Sequence, residues 1–590
     1  MRGALGKLLG ASAVGVTTAA MVAVGSLAPA RADDGNGQTG RFDVVHDGFM
    51  DPRTTLSDVD PVRLGLDPAP IEAAWEEINS YAHPSDPDVR PLYSSSVGIM
   101  GHAGAVVSRH HDGHALLYAD GDGTELPPDE RIAATPETIY DMASVSKLFT
   151  SIVVMQLVED GLVDLDAAYA SYVPEFGNGG KDEITVSQML THTSGLVAWL
   201  PLWSRYPDVE SRIRAVMDVE VSNPPGTVYE YSDLNLIALG VLAERLTGEP
   251  LDVLVRDGIT APLGMADTGY NPDPALLHRI AATEYQASPD RGIVHGEVHD
   301  ENAWSLGGVA GHAGIFSTAP DMAVLAQTFL NGGAYGDARI LGEDSVRAMV
   351  TNLNTEFDGD AHGLGFELDQ MWYMGGLSGP ATAGHTGYTG TSLVIDFQSR
   401  SFVVLLTNRV HPSRSWGSNN PARRAASDGL ARALAVPPQQ GRTAWFGGLR
   451  DGSETTLALE VPDGRRVSIE FSAFVDAEPT DVFALEASAD GGQTWTLLPF
   501  TVERGKGRHA DREEIDGTWN NQGNRDWGRA TARVPEGTEL VRWRYTTDSN
   551  TQGRGVLVDA VKVRDGRRVV LVGESAPDAF EADGFEPVSR

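Results

Sequence analysis

Cysteine is absent from all 590 residues. That excludes disulfides, a thiol nucleophile, a zinc–thiolate centre and a lipidated cysteine anchor. Lysine is nearly absent: there are five, at 7, 147, 181, 506 and 562. Acidic residues outnumber basic ones, and the net charge of −37 argues against nucleic acid as a partner and gives no help in docking on anionic membranes or wall polymers. Long apolar runs are missing after residue 32. Nothing there approaches the ~20 apolar residues that a membrane-spanning helix needs, so no stable membrane insertion is expected.

The one apolar run is N-terminal. Arg2 and Lys7 precede an Ala/Val/Gly-rich stretch, Leu8 to Leu27, and Ala30-Arg31-Ala32 has small residues around a cleavage position. This predicts a signal peptide over 1–32 and an exported, extracytoplasmic mature chain; the alternative is a retained anchor. The remainder is too long for one hydrophobic core. Residues 33–65 are polar and Asp-rich and read as a flexible N-terminal extension. Residues 66–436 carry mixed helical and strand periodicity, with a helix expected at Ile71–Tyr81, a strand at Ser94–Arg109 and a hairpin turn at His111-Asp112-Gly113. Pro437 to Gly441 reads as a linker. Beyond it, 442–572 holds short alternating strands such as Val467–Phe474, separated by Gly/Asp turns, as in a β-sandwich. Residues 573–590 read as a C-terminal tail.

Scarcity gives one lysine meaning. Lys147 follows Ser144 by three residues, and none of the other four has a serine so placed. On a helix that spacing puts the amine one turn from the hydroxyl, and a basic neighbour is what activates a serine nucleophile. The following residues are largely apolar, so this lysine enters a buried helix, where it needs a partner or a purpose. Two further stretches stand out. Pro224-Pro225-Gly226 leads through Tyr231-Ser232-Asp233 into a helical pattern, so Tyr231 stands at a helix entrance. Ala383 to Asp396 reads as a Gly-lined edge strand, His385-Thr386-Gly387-Tyr388, where something can approach the backbone closely. The stretch 291–319 reads as a long ordered loop. His192 lies in a Gly-terminated turn and reads as a structural hydrogen-bonder. His110, His111 and His114, and the pair His295 and His299, lack a metal-site pattern. Neither a metal nor a cofactor is expected.

Taken in order, Ser144-x-x-Lys147, Tyr231-Ser232-Asp233 and His385-Thr386-Gly387 resemble the motifs of serine hydrolases built like class C β-lactamases and their D,D-peptidase relatives. Leu190 to Leu196 and the stretch from Val298–Ala303 to Gly311–Gly314 are similar to that group as well. The resemblance spans about residues 65–435. It implies an α/β fold: an antiparallel sheet flanked by helices, beside an all-helical subdomain, with the site between them. It also implies roles. Ser144 would be the acylated nucleophile, Lys147 and Tyr231 would share the proton work, and the amides of Ser144 and Tyr388 would form the oxyanion hole. The bottom-up chemistry agrees, because a helix N-terminus offers unpaired N–H groups. A Lys147 ammonium would be expected to pull Tyr231 down from ~10 toward working pH.

There are departures from the family pattern. Asp233 stands where an asparagine is common and would contact Lys147, since a carboxylate cannot donate a hydrogen bond. His385 replaces a lysine. It would be partly protonated at neutral pH and hold a substrate carboxylate weakly, with Arg409 as a substitute cation. Trp199 suggests a differently shaped pocket. The C-terminal part is similar to the β-sandwich of immune-inhibitor-type metalloproteases, in Trp445-Phe446, Ser488 to Trp495, Val541 to Tyr545 and Val558 to Val561, without a metalloprotease motif. It would bind a polymer or cell-surface ligand, or serve as a cap. The expected function is an exported serine hydrolase acting through an acyl-enzyme on a small-molecule or peptidoglycan-derived peptide substrate, in the manner of a D-alanyl-D-alanine carboxypeptidase or related amide hydrolase. The alternatives are a carboxylic esterase, a weak β-lactamase, or a non-catalytic penicillin-recognising or surface-binding protein.

Overall fold

β1 (Ser57–Asp58) and α1 (Pro68–Ala82) precede a long antiparallel hairpin, β2 (Ser95–His102) and β3 (Ala105–Leu116). The computed structural model describes residues 39–462, 464, 466–505 and 511–590; the expected signal peptide and the first residues of the expected extension lie outside them. The hairpin turns at Ala103-Gly104, both with positive φ, the two-residue geometry whose twist matches the strands it joins. The turn expected at His111-Asp112-Gly113 is instead the interior of β3, paired with Ser95 to Val97. Asp and Gly signal turns locally, but here the strand register overrides them. His110 stacks on Trp75 of α1 with ring centroids 4.8 Å apart.

After a 3₁₀ turn at Ala143–Val145, α2 (Ser146–Glu159) is buried around almost its whole circumference. The short α3 (Val186–Leu190) starts at a capping box formed by Thr185 and Gln188, and α4 (Asp233–Thr247) starts at Ser232. These helices, with two short ones at Leu202–Arg205 and Val209–Asp218, make the helical layer. The stretch 291–319 is not one loop: it holds a helix at Glu301–Ser305 and a strand at Ile315–Ser317. α5 (Ala319–Leu330) then leads to β4 (Glu367–Leu368), β5 (Thr382–Thr386), β6 (Ser392–Asp396), β7 (Ser401–Thr407) and α6 (Asn420–Ala433). The sheet order is β1-β3-β2-β7-β6-β5-β4. Val97, Ile99, Val404 and Leu406 on one face join residues of α2, α4 and α5 in a single core. α1 packs against α6.

Beyond Val436 two sheets form a sandwich. One runs through Phe500–Arg504, Trp527–Arg533, Val467–Asp476 and Gly555–Asp565; the other through Val482–Ser488, Leu540–Thr546 and Glu454–Glu460. Alternate residues point inward, and Trp543 packs edge-on to Phe471 at 5.4 Å in the core.

Three boundary expectations are corrected. The stretch from Gly40 to Gly65 is no loose extension: β1 pairs in parallel with Ala105–Val106, and Phe42 is fully buried against Phe474 of the sandwich. The linker is docked, because Asp559 accepts hydrogen bonds from the backbone amides of Gln439 and Gln440 at 2.5 and 2.8 Å. The C-terminal tail supplies strand Phe580–Asp583 to one sheet and Glu586–Val588 to the other. In each case the backbone of a polar segment finds partners far away in the chain. Among the described residues no helix is long and apolar enough to cross a membrane.

Candidate active site

Ser144 stands on the 3₁₀ turn that feeds α2. The turn is bent by Ala143, a non-glycine residue at φ 46°. Its amide donates to Asp141 Oδ1 at 2.8 Å, and Asp141 also accepts from the His299 amide at 2.6 Å. Such a backbone is costly and persists only where its surroundings enforce it. The turn after β5 contributes: Thr389 Oγ1 donates to the carbonyl of Asp141 and Thr391 Oγ1 to that of Met142, at 2.6 and 3.1 Å. Gly387 lies so close that a Cβ there would meet Thr391 Oγ1 at 2.1 Å and the Met142 carbonyl at 2.4 Å. Sequence reading missed Asp141, Thr389 and Thr391, whose signal is only their proximity to the motifs.

Lys147 Nζ donates to Ser144 Oγ at 3.0 Å and to the His312 carbonyl at 3.2 Å, pairs with Asp233 Oδ1 at 2.8 Å, and lies 4.8 Å from the Tyr231 ring centroid. The three motifs therefore converge, and Asp233 holds Lys147 as its chemistry requires. Burial disfavours the Lys147 charge, but the Asp233 carboxylate and the Tyr231 phenol outweigh it and leave the pKa above the ordinary lysine value. The expectation for Tyr231 is corrected. Burial raises its pKa to about 12; Lys147 opposes the rise, while Asp233 adds to it. Desolvation of a phenolate outweighs one nearby ammonium that is already paired. His192 supports this layer: its ring lies 4.5 Å from that of Tyr231, and its Nδ1 accepts from the Ser232 amide at 3.1 Å.

His385 is also corrected. Its side chain is 1% exposed, and burial, with Lys147 nearby, pushes its pKa down to about 3. It is neutral at pH 7 and its Nδ1 meets the Thr386 carbonyl at 2.8 Å. It cannot hold a substrate carboxylate as a cation. Two arginines line the cavity at Ser144. Ser144, Tyr231, Thr386, Gly387, Tyr388, Arg409 and Arg423 line a cavity of about 340 Å³. A second, of about 460 Å³, shares Ser144, Tyr231 and Tyr388 and is walled by Trp199, Trp203, Asp300 and Glu301. Arg423 was missed; it donates to the carbonyls of Gly387 and Thr391 at 2.6 and 3.0 Å. Tyr388 is half exposed, with the Arg409 and Arg414 guanidiniums 5.2 and 5.6 Å from its ring centroid.

At the site the ligating atoms of Asp233, Asp300 and His312 lie within 4.8 Å of one another. Asp233 is already bound to Lys147, and Asp300 to His312 at 2.9 Å. His295 meets the Ile280 carbonyl and His299 meets Glu284, so that pair does not converge on one point.

Glu367, on β4, is a further residue without a sequence signal. It lines the smaller cavity, and burial raises its pKa to about 7, against lowering by Tyr373, Arg423 and Lys147. A carboxyl whose folded pKa exceeds its unfolded one stabilises the fold below the unfolded value, and that contribution is lost as pH rises through the folded value. Wild-type stability should therefore fall between about pH 4.5 and 7 through this group. Glu367→Gln is expected to match wild type at pH 4 and to exceed it at pH 8 by on the order of 2–3 kcal/mol in urea unfolding. Equal stability of the two proteins at pH 8 would show that Glu367 is not buried as a charge.

The β-lactamase family model matches residues 96–428. An Escherichia coli K12 protein provisionally named a D-alanyl-D-alanine carboxypeptidase is 34% identical over 354 residues, covering 54% of this chain and 78% of the relative. A Salmonella schwarzengrund protein with the same provisional name is 34% identical over 345 residues, covering 52% and 77%. Among solved structures, a class C β-lactamase from Rhodobacter sphaeroides has a TM-score of 0.47 at 20% identity, covering 62% of this chain and all of that one. A penicillin-binding protein homologue from Caulobacter crescentus has a TM-score of 0.47 at 19% identity, covering 62% and 99%. With more than half of its length matched by the family model, and with the three motifs brought together around one serine, the chain belongs to the β-lactamase family of serine hydrolases.

Proposed function

We propose that the protein is an exported D,D-carboxypeptidase-like amide hydrolase that acts through an acyl-enzyme on Ser144. The observation that carries this reading is the 3.0 Å contact of Ser144 Oγ with Lys147 Nζ, at the edge of a cavity lined by Arg409 and Arg423. The two guanidiniums suit a leaving group that ends in a carboxylate. The relatives provisionally named D-alanyl-D-alanine carboxypeptidases support the same class.

In the proposed reaction the minor fraction of Tyr231 that is ionised beside Lys147 takes the Ser144 proton. Oγ forms a bond to the scissile carbonyl carbon, and the oxyanion receives the amides of Ser144 and Tyr388, worth about 3 kcal/mol each. The C–N bond then breaks, and the Tyr231 proton goes to the leaving amine. Water attacks the ester, and its proton returns through Tyr231 to Ser144. The acyl part lies in the second cavity, between Trp199 and Trp203.

The test is the intact mass of the purified protein after incubation with a penicillin and with a fluorophosphonate, alongside D-alanine release from a peptide ending in D-Ala-D-Ala. Wild type is expected to gain one adduct with each probe and to release D-alanine. Ser144→Ala should gain no adduct and lose about 10⁴-fold or more in kcat. Adducts without D-alanine release, together with turnover of a simple ester, would replace the amide reading by the esterase one. Absence of adducts with both probes would sink the nucleophile assignment. The mass of the exported protein also reports removal of residues 1–32.

A further inference from the structure

Arg525 belongs to the sandwich, in the loop before strand Trp527–Arg533, yet its side chain is completely buried. It leaves its own domain. Nη1 pairs with Asp396 Oδ2 at 2.5 Å, and Asp396 is also fully buried, at the end of β6. Nη2 donates to the carbonyls of Leu377 and Ser378. Its guanidinium lies 4.2 Å from the ring centroid of Phe42.

The groups it holds form the root of β5. Thr382, the first residue of β5, is the register partner of Asp396. Its Oγ1 lies 2.6 Å from the Leu377 carbonyl and 3.1 Å from Asp396 Oδ1, with one proton to donate between them. One guanidinium and one hydroxyl thus share the same two acceptors. From this root β5 runs five residues to Thr386, and the next two are Gly387 and Tyr388 at the site. On its outer side β5 is paired with β4 at Ala383 and Gly384, and the Asp369 amide donates to the Thr382 carbonyl at 3.0 Å. The tip of the strand is held by β6, by Arg423, Thr389 and Thr391 at the turn, and by the way the root is held. The segment between β4 and β5 also carries Trp372, a wall of the smaller cavity.

The two domains meet here backbone to backbone. Gly523, at φ 71°, would with a Cβ reach Pro380 Cδ at 2.7 Å and Gly379 Cα at 2.8 Å. A contact this close leaves no room for a side chain. The loop is fixed from within the sandwich, since Asp476 accepts from the Gly523 amide at 2.8 Å.

We infer that Arg525 is a positioning residue for catalysis: through Asp396, Leu377 and Ser378 the C-terminal sandwich holds the strand that brings Gly387 and Tyr388 to Ser144. The sandwich is then part of the scaffold of the active site rather than an appended module. A guanidinium suits this, because one nitrogen pairs with the carboxylate while the other donates to the two carbonyls. The inference needs only an acylable Ser144 and not the carboxypeptidase reading, so the probe is a fluorophosphonate rather than a peptide.

The experiment compares the rate constant of Ser144 phosphonylation and the unfolding midpoint in four full-length proteins: wild type, Arg525→Met, the paired variant Arg525→Met with Asp396→Leu, and Gly523→Ala. The paired variant removes both charges and leaves apolar groups of similar size, which buried ion pairs commonly tolerate. Gly523→Ala leaves Arg525 and Asp396 in the chain and puts a Cβ against Pro380 and Gly379. The paired variant and Gly523→Ala are expected to stay folded and to be phosphonylated at least ten times more slowly than wild type, with the pH profile unchanged. Arg525→Met alone is expected to lower the unfolding midpoint as well, by leaving Asp396 unpaired. Phosphonylation of the paired variant and of Gly523→Ala at the wild-type rate would overturn the inference and leave the sandwich as a cap. Wild type that fails to react at all would instead count against Ser144 as the nucleophile, an outcome distinct from the other two.

Discussion

Lys147→Met is expected to lower kcat by about three to four orders of magnitude while the fold is retained, the range lost with a general base and its activating charge. In the structure Lys147 is the hub: it touches Ser144, Asp233 and the face of Tyr231. Tyr231, with a pKa raised to about 12, would be ionised in roughly one molecule in 10⁵ at pH 7. The rate should therefore rise with pH through the neutral range. Asp233 sets how far, since its carboxylate raises both Lys147 and Tyr231. Removing that negative charge in Asp233→Asn makes the phenolate easier to form, so the rising limb of kcat/KM should move to lower pH. The check is a pH series of acylation rates for wild type, Lys147→Met, Tyr231→Phe and Asp233→Asn. Lys147→Met within tenfold of wild type would remove it from the proton path. An unmoved limb in Asp233→Asn would show that Tyr231 is not the titrating base.

Arg423→Met should damage stability and rate together. Arg423 is 8% exposed and donates to the carbonyls of Gly387 and Thr391. Burial lowers its pKa, to about 10, and leaves it a cation at neutral pH. Those two carbonyls bracket the turn that carries Tyr388. Losing a charged donor from both is expected to cost about 3 kcal/mol in unfolding. A shift of the turn by an ångström would cost roughly 10²-fold in kcat/KM. Both carbonyls are met by the same nitrogen, Nη2, so Arg423→Lys should recover part of the loss to the extent that its ammonium reaches that position. Urea unfolding and kcat/KM of the two variants decide. A fully active, stable Arg423→Met would show that the turn is held by Thr389 and Thr391 alone.

The motifs were legible because their meaning is local. Ser144 and Lys147 are one helical turn apart whatever surrounds them. Tyr231 before Asp233 marks a helix entrance by pattern, and the alternation in Val467–Phe474 predicts a strand by itself. Strands hidden in polar segments were not legible: Ser57–Asp58, and the two at Phe580–Asp583 and Glu586–Val588, pair with partners tens to more than a hundred residues away. Nor could the sequence report charge states. The same phenol and imidazole that titrate near neutrality or near ~10 in water lie at about 12 in Tyr231 and about 3 in His385, because the folded chain removes their water. The family and the Ser144–Lys147 pair are properties of short-range spacing, which sequence carries. The base's resting state, the arginines of the cavity and the reach of Arg525 into the catalytic sheet are properties of burial and long-range contact, which exist only once the chain has folded.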